Sequence, residues 1–126
     1  MAKILVADDS RFQLALMSSG LRDKGFEVVV AEDALQAGML ALRCAPDAMV
    51  LDINMPGGTG IEVLRRLRRS TRTRDIPVIV VSGSNDLDVR QAAMELGVVD
   101  FLLKPVDLDQ LAKKLYDLLS ASHSSK

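Results

Sequence analysis

The residues in this chain equipped for chemistry are three aspartates, a serine and a lysine: Asp8-Asp9, Asp52, Ser82 and Lys104. Clustered carboxylates cannot all stay ionised side by side without compensation. An oxygen-seeking divalent cation is the simplest compensation, and Mg2+ suits one or two carboxylates, a carbonyl and several waters. A phosphoryl group, its charge spread over three oxygens, would bridge such a cation and a lysine. A carboxylate can itself be the nucleophile, giving an aspartyl phosphate. Asp52 is the better nucleophile, because it stands singly before the turn Asn54-Met55-Pro56-Gly57-Gly58. Asp8 and Asp9 make the better metal pair.

These residues do chemistry together only if the fold gathers them. Five short apolar runs alternate with five amphipathic stretches, and the runs cover 3–7, 26–31, 48–51, 76–81 and 99–103. They are Val/Ile/Leu-rich and nearly continuous, the pattern of strands covered on both faces. Helical spacing follows each run: Leu14, Met17, Ser18 and Leu21 behind the cap candidate Ser10, then Leu35, Met39 and Leu42 behind Asp33. Ile61, Leu64 and Leu67 follow Gly60. Val89, Ala93 and Leu96 follow Asp86 or Asp88 and stop at Gly97, and Leu108, Leu111, Leu115 and Leu118 follow Asp107. Alternating strand and helix in so short a chain predicts an α/β fold with a parallel sheet and helices on both faces. Right-handed crossovers make it doubly wound. Ligands in such sheets bind outside the carboxyl ends of the strands, where strand order reverses. Asp8-Asp9, Asp52, Ser82-Gly83 and Lys104-Pro105 each close a run, so they are expected to converge. Singly each has a plainer reading: a strand-end aspartate often caps a helix, Ser82 could be an ordinary loop hydroxyl, and Lys104 a solvated loop lysine.

Composition removes other classes. The 126 residues carry 17 acids and 16 bases, net −1, which argues against a general nucleic-acid binder. The chain has one domain's length. No apolar run is long enough to span a membrane, and Met1-Ala2-Lys3 leads into a strand rather than a signal peptide, so the expected location is cytoplasmic. Cys44 is single, which excludes an intramolecular disulfide, and is expected to be inert. His123, the one histidine, sits in the polar run 120–126, so no histidine triad or zinc site is expected. Arg65, Arg66, Arg68, Arg69, Arg72 and Arg74 crowd the end of the third helix without interleaved aromatics, which reads as a solvated face, with a docking role left open.

Asp8-Asp9, Asp52-Ile53-Asn54-Met55-Pro56 with Gly60 four beyond the proline, Ser82-Gly83, and Phe101-Leu102-Leu103-Lys104-Pro105 resemble the receiver domain of two-component response regulators. The likeness covers residues 3 to about 119 in the family's order, and the chemotaxis response regulator is that family's single-domain form. The resemblance implies a flavodoxin-like (βα)5 fold with strand order 2-1-3-4-5. It implies that Asp52 accepts a phosphoryl group from a histidine on a sensor kinase or histidine phosphotransfer protein. Asp8, Asp9, the Asp52 carboxylate and the Asn54 backbone carbonyl would hold Mg2+, or Mn2+ in its stead. Lys104 would neutralise one phosphoryl oxygen and Ser82 would hydrogen-bond another, beside a small residue, Gly83. Phe101 takes the aromatic switch position, reshaping the face of the fourth helix, fifth strand and fifth helix for a downstream effector. Pro105 would follow a cis bond, which an X-Pro pair permits. Ser84 and Asn54 fall where the family tunes dephosphorylation.

Gly58 stands where a large apolar residue is common, implying a looser loop after Pro56. Phe101 lacks the hydroxyl of the frequent tyrosine. The expected unit is residues 1–120, with 121–126 a flexible tail or the start of a linker, as a stand-alone protein or the N-terminal part of a larger regulator. It is expected to be a monomer or a phosphorylation-dependent dimer, with no direct nucleic-acid or membrane contact, and no turnover enzyme beyond weak self-phosphorylation and self-dephosphorylation. The rivals are a receiver-like interaction module that is never phosphorylated and an aspartyl-phosphate phosphatase. The latter places its nucleophile in an Asp-x-Asp pattern after the first strand, which Asp8-Asp9-Ser10 lacks.

Overall fold

The computed structural model describes residues 1–55 and 58–124, with side chains described for 1–55 and 60–120. A five-stranded parallel sheet is built from β1 (Lys3–Ala7), β2 (Glu27–Ala31), β3 (Ala48–Asp52), β4 (Val78–Ser82) and β5 (Asp100–Leu103). Its order is β2-β1-β3-β4-β5, as expected. The helices are α1 (Arg11–Asp23), α2 (Ala34–Cys44), α3 (Gly60–Arg69), α4 (Leu87–Glu95) and α5 (Leu108–Ser124). Alternate residues of each strand feed two cores: Leu5, Ala7, Met49 and Leu51 face α2, α3 and α4, while Ile4, Val6, Ala48 and Val50 face α1 and α5. Both faces are covered, which is why the runs show no polar alternation.

The register explains the convergence. Ala7 pairs with Leu51, so the next residues, Asp8 and Asp52, emerge level at the top of adjacent strands. Ser82 pairs with Leu103, which brings Gly83 level with Lys104. Caps then turn the chain into each helix. Ser10 accepts from the Gln13 N–H at 3.2 Å, Asp33 from Gln36 at 2.8 Å and Asp107 from Gln110 at 3.1 Å. At α4 the choice falls on Asp86, which accepts from Asp88 and Val89.

Several sequence expectations need correction. The fourth run loses Ile76 and Pro77, because Ile76 turns back to donate to Thr73 and Pro77 has no N–H for the ladder. A small antiparallel ladder, Asn54–Met55 with Gly58–Thr59, follows β3 unforeseen. The turn at 56–57, on which the expectation of a looser loop rests, lies outside the described residues. Helix α5 runs to Ser124, past the boundary drawn at 120. The buried face of α2 differs from the one expected: Leu35, Met39 and Leu42 are 63%, 42% and 40% exposed, and Ala34, Ala37 and Ala41 are the buried stripe. Both stripes fit helical spacing, and the close approach of α2 to the sheet selects the small one.

Candidate functional site

Four strand ends build one acidic pocket. Asp8 is wholly buried and Asp52 is 3% exposed, while Asp9 is exposed beside them. The three carboxylates can each place an oxygen within 4.8 Å of the others. Lys104 reaches across from the end of β5, its Nζ 3.0 Å from Asp8 Oδ2 and 3.3 Å from Asp52 Oδ2. The Asn54 N–H donates to Asp52 Oδ1 at 3.1 Å, and the Ser10 N–H to Asp8 Oδ1 at 2.9 Å. Asp8 Oδ2 is left with the nearby ammonium but no donor in hydrogen-bond geometry.

That incompletely satisfied oxygen and the trio of hard oxygen donors fit a small divalent cation. Electrostatics point the same way. Burial pushes the Asp52 carboxyl up to about 6 from 3.8, against the Asn54 N–H; Asp8 adds to the rise and Lys104 opposes it. Burial lowers the Lys104 ammonium, but Asp8 and Asp52 outweigh that and hold it above its ordinary value. A group of net negative charge is thus held in low dielectric, short of one cation.

Backbone contacts hold Asp52 in place. A Cβ on Gly60 would lie 2.7 Å from Ile53 Cα and 3.0 Å from the Asp52 carbonyl oxygen, so α3 can start this close only with glycine. The Gly60 N–H also donates to Ile53 O at 2.7 Å. The sequence showed the glycine's fixed distance from Asp52 without its reason. Across the pocket, the Lys104 N–H donates to Ser82 O at 2.7 Å.

Ser82 closes β4 beside Leu103, the residue before Lys104, and its hydroxyl is engaged by Ser84. Oγ donates to Ser84 O at 2.9 Å and accepts from the Ser84 N–H at 3.1 Å, closing a local turn. Ser84 and Gly83 are exposed, and a Cβ on Gly83 would meet nothing within 4 Å. The Lys104–Pro105 bond is cis. Phe101 is buried in the core beneath α4, and the Arg90 guanidinium lies 5.7 Å from its ring centroid. Sequence reasoning missed Arg90, since only the phase of α4 against β5 reveals that contact.

Fold and pocket together define a doubly wound α/β domain whose acidic cluster, faced by one lysine, could bind a metal. The chain belongs to the response regulator receiver domain family, whose model matches residues 4–116. It is 42% identical over 117 residues to the transcriptional regulatory protein PrrA of Mycobacterium tuberculosis, covering 93% of this chain and 49% of that protein. To the DNA-binding dual master transcriptional regulator RpaA of Synechocystis it is 33% identical, over 94% of this chain and 49% of that one. The chain spans about half the length of these curated relatives. Among solved structures, Vibrio cholerae chemotaxis protein CheY4 superposes with a TM-score of 0.86 at 30% identity, covering 93% of this chain and 98% of the other. A CheY-like receiver domain from Methanospirillum hungatei reaches 0.93 at 22% identity, over 100% and 99%. Receiver domains are signalling domains rather than enzymes of metabolic turnover. No described helix is long and apolar enough to cross a membrane.

Proposed function

We propose that this receiver domain takes a phosphoryl group on Asp52 from a histidine of a sensor kinase or phosphotransfer protein and thereby switches a protein-binding face. The observation that carries the reading is Lys104 Nζ held between the Asp8 and Asp52 carboxylates. An Asp52 oxygen attacks phosphorus, the P–N bond of the donor breaks, and the imidazole leaves with the electron pair. Asn54 steadies the attacking carboxylate by its N–H. Lys104 then follows the charge from carboxylate to phosphoryl oxygen. Asp8, Asp9, Asp52 and the Asn54 carbonyl would hold Mg2+, or Mn2+, which supplies charge neutralisation for the transferred group. Hydrolysis by water returns Asp52 and releases phosphate.

Ser82 carries the signal when its hydroxyl leaves Ser84 for a phosphoryl oxygen, freeing the loop to α4. Arg90 over Phe101, and Lys114 at 2.7 Å from Asp100, tie α4, β5 and α5 into one responsive face. Exposed Leu87, Met94 and Leu103 give that face apolar surface for an effector or for phosphorylation-dependent dimerisation. The unit extends through α5 to Ser124, acting in the cytoplasm, with an effector domain or partner protein downstream.

The test is incubation with acetyl phosphate and Mg2+, followed by intact mass measurement. One phosphate, acid-stable and base-labile, is expected on the wild type and none on Asp52→Asn. A wild type that never gains mass would leave a receiver-like interaction module, and sustained release of phosphate from phosphoesters would favour the phosphatase.

A further inference from the structure

Helix α2 is apolar on the side that faces outward as well as the side that faces the sheet. Its buried stripe is Ala34, Ala37 and Ala41, and its outer stripe carries Leu35, Met39 and Leu42. Of its polar side chains, Gln36 is committed to the Glu32 N–H at the helix entrance. A helix apolar all round is ordinarily covered, and here the protein's own chain covers half of it.

The exposed stripe is one wall of a groove whose other wall is α3. Leu67 forms the floor, Arg66 stands on the far rim, and Gly38 lies between Leu35 and Leu42 on the near wall. Gly38 is the anomaly. Its backbone is helical, and mid-helix glycine is destabilising relative to alanine, yet a Cβ there would meet nothing within 4 Å. Packing within the domain does not require the glycine. A side chain arriving from outside would.

The rim supplies the sign of the partner. Arg65, Arg66 and Arg69 stand together with Glu62 on the outer surface of α3, leaving that surface positive. At the lower end Arg72 donates to Leu42 O at 3.3 Å, and Arg43 lies in the last turn of α2. Arg68, in the same run, turns away and is consumed by main-chain carbonyls. Arg65, Arg66 and Arg69 are exposed, as the expected solvated face requires, and Arg66 also borders the groove.

We propose that the α2–α3 groove docks an amphipathic helix with acidic flanks, its apolar stripe packing on Leu35, Met39 and Leu42 over Gly38 and its carboxylates meeting Arg66 and Arg69. The groove's apolar wall and floor favour a peptide helix over nucleic acid, for which stacking aromatics would be needed. This surface is separate from the α4–β5–α5 face and stands whether or not Asp52 is phosphorylated.

The probe is a synthetic peptide of about 15 residues, roughly four helical turns, with leucine at i, i+3, i+4, i+7 and i+8 and glutamate elsewhere. A lysine-for-glutamate counterpart and a single-stranded RNA serve as comparisons, read by fluorescence anisotropy and by amide chemical shifts of the whole domain. Binding of the glutamate peptide is expected to be at least about tenfold tighter than that of the lysine peptide, with shifts confined to α2 and α3. Gly38→Phe and Arg66→Glu should each weaken it about tenfold or more while Asp52 phosphorylation stays at the wild-type level. Gly38→Ala, whose methyl meets only open space, should raise Tm. Equal binding of both peptides, wild-type affinity in Gly38→Phe, shifts on α4, β5 and α5 instead, or binding of the RNA alone would each overturn the proposal.

Discussion

The two ends of the sheet treat buried charge in opposite ways. At the carboxyl end, Asp8 and Asp52 share one ammonium, Asp8 Oδ2 lacks a hydrogen bond, and burial lifts the Asp52 carboxyl. At the amino end, Arg68 donates to Leu96 O at 2.8 Å, Ile76 O at 2.8 Å and Arg74 O at 3.0 Å. That guanidinium joins the end of α3, the loop into β4 and the end of α4 through their main-chain carbonyls. The Arg68 charge is met by several carbonyls, whereas the carboxylates of the proposed site share one ammonium. A buried carboxylate oxygen without a hydrogen bond is destabilising even beside an ammonium, and its persistence at one end supports the function proposed for that end.

The sharpest way to break the contrast is to remove the saturated charge. Arg68→Met keeps an apolar stem of similar length but strips the donors from these carbonyls, and should destabilise by about 2–3 kcal/mol in urea titrations. Phosphorylation of Asp52 by acetyl phosphate should be unchanged in folded protein. A neutral Arg68→Met would show that the amino end is no clamp. Next in size is Gly60→Ala, which drives a methyl into the backbone of Ile53 and should lower stability by about 1–3 kcal/mol. Unlike Arg68→Met it should also slow phosphorylation, because α3 would carry the Asp52 end of β3 with it.

The opposite sign is expected at the carboxyl end. Without divalent cation at pH 7, Asp52→Asn removes a charge that the fold holds against desolvation, while its amide oxygen can still accept from the Asn54 N–H. It should therefore stabilise, by about 1–2 kcal/mol, while the proposed phosphoacceptance should be lost. Loss of Tm in Asp52→Asn under these conditions would mean that Lys104 already compensates the pair and that the carboxyl end is not short of charge.

Sequence periodicity resolved the two ends unequally, for physical reasons. Strand-end aspartates and the lysine were legible because a parallel sheet must aim the ends of all its strands the same way. Ser10, Asp33 and Asp107 were legible as caps because the exposed N–H groups of a helix start demand an acceptor. Leu35, Met39 and Leu42 misled because an alanine stripe fits the same spacing, and only packing distance chooses between them. Arg68 was hidden in a run of arginines, since which of them turns inward depends on carbonyls 6, 8 and 28 residues away. Ser82 was found as a residue but not in its orientation, which a two-residue turn to Ser84 decides.

The finest test of the contrast is titration. An acid whose folded value is raised holds its proton in the native state over a range where the unfolded chain has released it. The Asp52 contribution to stability therefore falls as pH rises from about 4 to about 6 and is level above that. The Tm advantage of Asp52→Asn should accordingly be largest at pH 7 and shrink toward pH 5. A cation bound by the ionised carboxylate reads the same equilibrium with the reverse sign, because it must displace that proton. With Asp52 near 6, the apparent Mg2+ affinity of the wild type, followed by calorimetry, should weaken roughly tenfold between pH 7 and pH 5. Binding that is independent of pH over this range would place Mg2+ away from Asp52 and dissolve the asymmetry between the two ends. Arg68→Met offers the matching control: folded protein should show the wild-type pH profile for Mg2+, since its carbonyl partners carry no proton in this range.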